Sequence, residues 1–280
     1  MKVLVVGASG QLGRALQDAL SHQDVIAWDF DALDITKRVQ TSRAISDVSP
    51  DVVINAAAFT KVDQAESDCE IAYQVNAVGP QNLACATDAL GIPLVHISTD
   101  YVFDGTKIEP YHEFDQPQPR SIYGKSKLAG EEAVRSCTRQ HFIVRTAWLY
   151  HTIGENFPKT ICRLAEKSEV RVVSDQRGSP TFAPHLAQAI AQLIMSHHYG
   201  TYHLAGTGGT SWFEFTQALF RHLGITAQVV PVLTTEFPRP APRPANSVLT
   251  SLQDPLILLP AWEDGVREFA EQYARNLKVI

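Results

Sequence analysis

Tyr123 and Lys127 stand four residues apart in the run Tyr123-Gly124-Lys125-Ser126-Lys127. If a helix begins near Ile122, the two side chains share one of its faces. A phenol titrates near ~10 when unperturbed, and a neighbouring ammonium stabilises the phenolate and draws that value toward neutrality. Such a pair is a ready proton donor. The bare spacing is also met in a surface tyrosine on a lysine-rich turn, so the rest of the chain has to decide. Ser98 and Thr99 end an apolar run about two dozen residues earlier, where hydroxyls can hydrogen-bond a substrate oxygen. The alternative there is a Ser/Thr turn that satisfies only its own backbone.

The elements that must position these residues read as alternating strands and helices. Lys2-Val3-Leu4-Val5-Val6 is apolar and β-branched, as a strand buried on both faces of a parallel sheet requires. It enters Gly7-Ala8-Ser9-Gly10-Gln11-Leu12-Gly13 and a helical run from Arg14 to Leu20. In that loop Gly7 allows the tight turn, Gly10 lets backbone amides approach a pyrophosphate, and Gly13 permits close helix–strand packing. A purely structural turn is the competing reading. Asp29 lies 22 positions after Gly7, at the end of a second strand (Asp24 to Trp28), where an acid meets the adenosine ribose; Asp31 and Asp34 compete for that role. Val52 to Ile54 is a third strand, followed by small residues (Ala56 to Ala58) that leave room for a ligand or for tight packing. Thr60 to Asp63 is expected to open a helix, with a longer one from about Cys69 to Leu90 that Gly79-Pro80 interrupts. Pro93 to Ile97 and His141 to Thr146 are further strands.

Beyond Tyr150 the pattern loosens. A helix from Asn156-Phe157 to Ala165, a strand Val170 to Val173 and a loop Asp175 to Thr181 are expected. An amphipathic helix His185 to Met195, a strand Gly200 to Leu204 and a helix Ser211 to Leu223 with a Ser211/Glu214 capping box come next. Pro238 to Pro244 must be a draped loop, and Trp262 to Tyr273 closes the chain as a helix. The fold class is α/β: a doubly wound parallel sheet (Rossmann) with a smaller mixed α/β substrate-binding portion. The dinucleotide-binding domain is expected at 1–150, with a return of the chain to it at about 182–220. The substrate-binding portion is expected at 151–181 and 221–280.

Composition excludes several classes. A net charge of −6 with no long run of one sign leaves no nucleic-acid footprint. No segment reaches the ~20 apolar residues of a membrane span, and the first apolar run is too short for a signal sequence. Cys69, Cys85, Cys137 and Cys162 form no CxxC and read as free thiols in a reducing cytoplasm.

Taken together, GASGQLG, NAAAFTKVDQAE from Asn55, STDYVFDG from Ser98, YGKSKLAGE from Tyr123, RTAWLY from Arg145, NFPKT from Asn156, DQRGSPTF from Asp175, RPANS from Arg243 and LPAWEDGV from Leu259 resemble one family in order. It is the extended short-chain dehydrogenase/reductases and, within them, the dTDP-4-dehydrorhamnose reductases. The resemblance implies an NAD(P)H-dependent reduction of the C4 keto group of a nucleotide-activated deoxysugar, in the synthesis of cell-surface polysaccharide precursors. It implies Tyr123 as proton donor, Lys127 as ribose ligand and modulator of the phenol, and Thr99 as a donor near the same oxygen. Gly10, Gln11 and Leu12 would line the pyrophosphate, with Gly7 and Gly13 in the same cofactor-binding loop, Asp29 the adenosine ribose, Asp34 and Ile35 the adenine region, and Ala58, Phe59 and Thr60 the cofactor's middle. Asp100 and Trp148, with Thr99, would face the nucleotide-sugar, with Arg243 and Asn246 nearby. NADPH or NADH is implied as cofactor, and the Asp29 carboxylate favours NADH. A possible homodimer and a cytoplasmic location follow from the same resemblance.

Some members of this family hold Mg²⁺ through three glutamates; the corresponding positions here are Ala15, His185 and Glu263, so no metal is expected. His197-His198 reads as a helix end. Two rival functions stay in view: another sugar-nucleotide epimerase, dehydratase or reductase on this scaffold, and a non-catalytic nucleotide-binding regulatory subunit. The joint presence of Thr99, Tyr123 and Lys127 argues against the second, since a pure binder has no use for an acid.

Overall fold

A computed structural model describes residues 1–254 and 256–277. The chain runs β1 (Lys2–Val6), α1 (Gln11–Ala19), β2 (Asp24–Trp28), α2 (Arg38–Val48) and β3 (Val52–Asn55). After a 3₁₀ turn at Gln64–Glu66 come α3 (Cys69–Tyr73), a π-helical stretch (Gln74–Val78), α4 (Gly79–Leu90), β4 (Leu94–Thr99), α5 (Ile122–Cys137) and β5 (His141–Thr146). The later part holds β6 (Leu149–Tyr150), α6 (Phe157–Leu164), β7 (Glu169–Val173), β8 (Arg177–Gly178), β9 (Thr181–Phe182), α7 (Ala183–Leu193) and β10 (Gly200–His203). It closes with β11 (Thr210–Ser211), α8 (Trp212–Leu223), β12 (Gln228–Val232) and α9 (Trp262–Leu277).

Six strands form one parallel sheet in the order β10-β5-β4-β3-β1-β2. The unbroken apolar run of β1 has a direct cause. Val3 and Val5 pack toward Leu12 and Leu16 of α1 and Leu186 and Ile190 of α7, whereas Leu4 and Val6 pack toward Ile45, Leu83 and Val134 on the other face. Both faces of the sheet are therefore covered, as a doubly wound α/β fold requires. The winding reverses between β1 and β3, and a crevice opens outside the carboxyl ends of the strands at that point. A separate aromatic core of Tyr150, Phe182, Phe215 and Phe269 joins α8 and α9 beyond the sheet.

Local expectations hold at the capping box, where Ser211 and Glu214 each bond the other's backbone, and at Ile122, where α5 begins. Others change. Thr60 to Asp63 opens no helix; the chain stays irregular until the 3₁₀ turn at Gln64. The interruption near Gly79-Pro80 is a π turn just before it, because Pro80 has no N–H to donate back along the helix. Gln228–Val232, unassigned from the sequence, pairs in parallel with β7, and Arg177–Gly178 within the expected loop pairs antiparallel with β11. The four cysteines are free thiols.

Helix α5 carries Tyr123 and Lys127, and its place is set by Glu131. That side chain is 0% exposed and accepts from Arg145 Nε (2.9 Å) and Nη2 (2.7 Å), Arg135 Nη2 (2.8 Å) and Ser98 Oγ (2.5 Å). It thus ties α5 to β4 and β5. Burial works against the charge, but these donors outweigh it and hold the carboxyl below its usual range. Removing one partner of a buried ion pair strands the other charge, at a cost of about 3–5 kcal/mol. Glu131→Gln should lose that much stability in urea unfolding at pH 7. Because the folded pKa is depressed, the difference from wild type should shrink as pH falls through the carboxylate range. A loss below ~1 kcal/mol would remove this pair as the anchor of α5.

Candidate active site

A cavity of about 790 Å³ opens at the carboxyl edge of the sheet. Its walls come from the loops after β1, β2, β3, β4 and β5, from the first turns of α5, and from Trp212. The loop after β1 shows three glycines with three different uses. Gly7 has φ +81°, and a Cβ there would lie 2.6 Å from Ala57 N, so the turn and the contact with the loop after β3 both demand glycine. A Cβ on Gly13 would lie 2.3 Å from Gly7 O. Gly10 is different: a Cβ would meet only Gly7 O, at 3.3 Å, and its other side is open to the cavity. Gly10 is also the N-cap of α1 and supplies no side-chain cap, so the helix's first amides are left for another acceptor.

Asp29 lines the cavity at the end of β2 and accepts from Ser9 N–H at 2.9 Å, so the carboxylate also braces the glycine loop. Asp34 and Ile35 line the same end; Asp34 Oδ1 closes a turn onto Thr36 N (3.0 Å) and Oγ1 (2.7 Å). Ala58 and Thr60 line the middle. Phe59 does not. Its N–H donates to Asn76 Oδ1 (2.8 Å) and its carbonyl accepts from Asn76 Nδ2 (3.1 Å). The same Nδ2 reaches Ser126 Oγ at 3.0 Å, and Ser126 Oγ donates to Tyr123 O at 2.8 Å. The π turn that interrupts the helix therefore presents Asn76 as a pin between the loop after β3 and the turn that carries Tyr123.

Thr99, Asp100, Tyr123, Lys127 and Trp148 all line the cavity. The N-terminus of α5 is fixed twice, by Ser121 Oγ accepting from Gly124 N–H (3.1 Å) and Glu66 Oε1 accepting from Ile122 N–H (2.8 Å). Tyr123 packs edge-on to Tyr101, ring centroids 5.4 Å apart. Lys127 is buried, and its Nζ donates to Ile97 O at 2.6 Å. This corrects the electrostatic expectation. Burial pushes the Tyr123 hydroxyl up to about 12, with Thr99 pulling it down and Asp100 pushing it further up, and Lys127 takes no part. Lys127 itself is driven down to about 8 by burial, against the pull of Glu131. Tyr123 is therefore held in its protonated form across the neutral range. Ser98 also departs from expectation, since its hydroxyl is spent on Glu131.

Arg243 and Asn246 do not line the cavity. The Arg243 guanidinium makes a two-point pair with Asp63 (2.8 and 3.0 Å), and the Ala241 N–H joins it at 3.2 Å. Burial would raise the Asp63 carboxyl, but these bonds hold it below its ordinary value. The pair pins the Pro-rich loop to the turn after Thr60. Asn246 Nδ2 donates to the carbonyls of Lys107 (2.8 Å) and Ile108 (2.9 Å) and so holds a neighbouring loop. Among residues not anticipated, Ser9, Phe30, Thr36, Thr146, Gly154 and Trp212 line the cavity. Thr146 was discoverable as the register partner of Thr99 at the sheet edge; Trp212 carried no signal beyond its capping box. Among the described residues no group of three or more His, Cys, Asp or Glu side chains is arranged to hold a metal ion. His185 Nε2 instead meets Glu268 Oε2 at 3.0 Å.

A family model described as RmlD substrate binding domain matches residues 1–275. A solved dTDP-4-dehydrorhamnose reductase from Clostridium acetobutylicum is 42% identical, covers 98% of this chain and 100% of its own, and superposes with a TM-score of 0.96. One from Bacillus anthracis, solved in complex with NADP, is 43% identical over 97% of this chain and 99% of its own, with a TM-score of 0.94. The spore coat polysaccharide biosynthesis protein SpsK of Bacillus subtilis is 41% identical over 97% of each chain.

Two buried oxygens on the cavity wall, Asp100 Oδ2 and Thr146 Oγ1, have no hydrogen-bond partner among the described residues. Burial raises the Asp100 carboxyl to about 6, against hydrogen bonds from Ser247 and Thr99. The folded pKa lies above the unfolded one, so the cost is absent well below pH 4 and grows as pH rises through about 6. Asp100→Asn should therefore stabilise the protein at pH 7.5, by on the order of 2 kcal/mol, and leave stability at pH 4 nearly unchanged. Thermal unfolding at the two pH values checks this; equal shifts at both would mean that ionisation is not the source.

Proposed function

The chain belongs to the RmlD substrate binding domain family, and from that premise we propose that it reduces the C4 keto group of dTDP-4-dehydro-L-rhamnose to give dTDP-L-rhamnose, with NADPH or NADH as reductant. It is an NAD(P)H-dependent oxidoreductase of the dTDP-4-dehydrorhamnose reductase type. The observation that carries the reading is the meeting of Thr99, Tyr123 and Lys127 with the open glycine loop in one cavity.

Gly10, Gln11, Leu12, Asp29, Asp34, Ile35, Ala58 and Thr60 are the residues proposed to hold the dinucleotide; the uncapped start of α1 and the bare side of Gly10 suit a pyrophosphate. When bound, the reduced nicotinamide supplies the hydride. The chain's own task is to meet the charge that develops on the C4 oxygen. Tyr123, protonated throughout the neutral range, gives its proton to that oxygen. Thr99 Oγ1 stands beside it, accepting from Tyr101 N–H at 3.2 Å and donating to Asp100 Oδ1 at 3.0 Å. To donate to the substrate the hydroxyl would rotate its one proton away from Asp100 Oδ1. Asp100 Oδ2 and Thr146 Oγ1, buried and unpartnered, are proposed to take up sugar hydroxyls. Lys127 keeps a buried positive charge near the developing alkoxide, sustained by Glu131 one turn along the helix.

Tyr123→Phe keeps the ring packed on Tyr101 and removes the transferable proton. Turnover should fall at least ~10²-fold with cofactor affinity held; a variant within a few-fold of wild type would remove Tyr123 as the acid. In wild type, kcat/KM should decline as pH rises through about 8, where Lys127 loses its charge, and Lys127→Met should lack that limb. An alkaline limb that survives in Lys127→Met belongs to another group.

Cofactor choice turns on Asp29. Its carboxylate favours ribose hydroxyls and opposes the extra phosphate of NADPH by like-charge repulsion of on the order of 1 kcal/mol after screening, about fivefold. Because Asp29 also braces Ser9, Asp29→Asn is a cleaner probe than alanine: it drops the charge and keeps an acceptor for the Ser9 amide. The ratio of kcat/KM for NADH over NADPH should fall about fivefold, and less so at high salt. An unmoved ratio would take Asp29 out of cofactor selection.

A further inference from the structure

Trp148 has φ +46°, in the left-handed region that a bulky side chain rarely occupies. It stands two residues beyond Thr146, the register partner of Thr99, so the unusual backbone sits at the cavity's sugar end. Something must hold it there. One part of the answer is a gap: a Cβ on Gly178 would lie 2.3 Å from Trp148 Cε2 and 2.5 Å from its Nε1. Another is a second indole. The Trp212 ring lies against that of Trp148 with centroids 3.4 Å apart and planes 3° from parallel. Two free aromatic rings prefer an offset or an edge-on arrangement, so this full overlap is imposed by the frame that holds them.

That frame is visible. Trp212 is the first residue of α8, directly after the Ser211 cap; its carbonyl accepts from Thr216 Oγ1 at 2.8 Å, and its ring meets Phe157 at 4.3 Å. Thr210 and Ser211 pair with Gly178 and Arg177, so one two-stranded ribbon supplies the gap that the Trp148 indole fills and leads directly into Trp212, whose indole stacks on it. On the Trp148 side, the Trp148 carbonyl accepts from Thr181 N–H at 3.2 Å just before β6 joins β9.

We propose that Trp212 is a positioning residue for the nucleotide-sugar, which with Gly178 fixes the Trp148 indole as the rigid wall against which the sugar end is seated. The inference rests on the functional reading above and extends it to a residue outside the acid–base group. Its ligand chemistry is that of a deoxysugar, whose C–H-rich face and methyl group pack on an aromatic plane while the hydroxyls turn toward Asp100 and Thr146.

The experiment compares Trp212→Ala, Trp212→Phe and Gly178→Ala with wild type. Each is assayed for the KM of dTDP-4-dehydro-L-rhamnose, for the dissociation constant of NADPH, and for the ultraviolet circular dichroism of the coupled indoles. Trp212→Ala and Gly178→Ala should raise the sugar-nucleotide KM about tenfold and abolish the coupled signal, with the NADPH dissociation constant unchanged within about twofold. Trp212→Phe should restore most of the KM and not the signal. A parallel loss of NADPH binding would mark general damage and overturn the positioning role, as would an unchanged KM in Trp212→Ala. Wild-type turnover is measured first: its absence overturns the functional reading and this inference together, whereas wild-type turnover matched by Trp212→Ala overturns the inference alone.

Discussion

A carboxylate with no access to water has to be paired, and the pairing of Glu131 fixes most of what the cavity needs. Arg145 lies on β5, Ser98 on β4 and Arg135 one turn further along α5, so three elements close on one charge. Arg145 also places Nη1 3.4 Å from His203 Nε2 on β10. His203 Nδ1 lies 3.1 Å from Tyr111 O and 2.9 Å from Thr250 O, so that nitrogen carries the proton and Nε2 is the acceptor toward arginine. Burial drives this imidazole down to about 4, so it is neutral in the working range and acts as a fixed link, not a switch. The backbone N–H of His203 in turn donates to Glu113 Oε1 at 2.9 Å. A continuous buried chain thus runs from the helix of Tyr123 to the loops around residues 111–115 and 250–252.

The contrast with Asp100 is instructive. Glu131 is satisfied on every side and kept ionised, whereas Asp100, two residues from Ser98, is buried with one oxygen bare and is pushed toward protonation. The same depth yields opposite pKa shifts because Glu131 is met by two arginines, whereas Asp100 has only uncharged hydroxyl and amide donors. A fold that merely sought stability would have filled the second site. Acceptors left open on a cavity wall are what a polar ligand requires.

Most of the sheet could be read from the chain because buried parallel strands need continuous apolar runs; β1, β3, β4 and β5 all show them. The glycine loop was legible for the same reason: steric exclusion at Gly7 and Gly13 leaves a trace in residue type. What escaped depends on contacts distant in sequence. Arg243 reads as a free cation until Asp63, 180 residues away, is seen beside it. Lys127 looks like a partner for the phenol until Ile97 O claims its ammonium. Asn76 is an ordinary polar residue in a helix until the π turn aims it at Phe59. β12 carries a proline and partly exposed residues, so it lacks the pattern of an inner strand and is revealed only by its pairing with β7.

The two ends of the cavity are built from different materials, and this bears on how the site can vary. At the glycine-loop end the wall offers backbone amides, small residues and the Asp29 carboxylate, positioned by strand–loop–helix geometry that tolerates little change. Toward α5 and the loop after β5 the wall includes the side chains of Thr99, Asp100, Tyr123, Thr146, Trp148 and Trp212. Trp148 follows β5 of the sheet, whereas Trp212 reaches the wall through β11 and α8, which lie outside the six-stranded sheet. Substituting there alters the shape of the wall without touching the glycine loop or the anchor at Glu131. A scaffold divided in this way can keep the glycine loop and the buried anchor of α5 unchanged while the shape of the opposite wall varies.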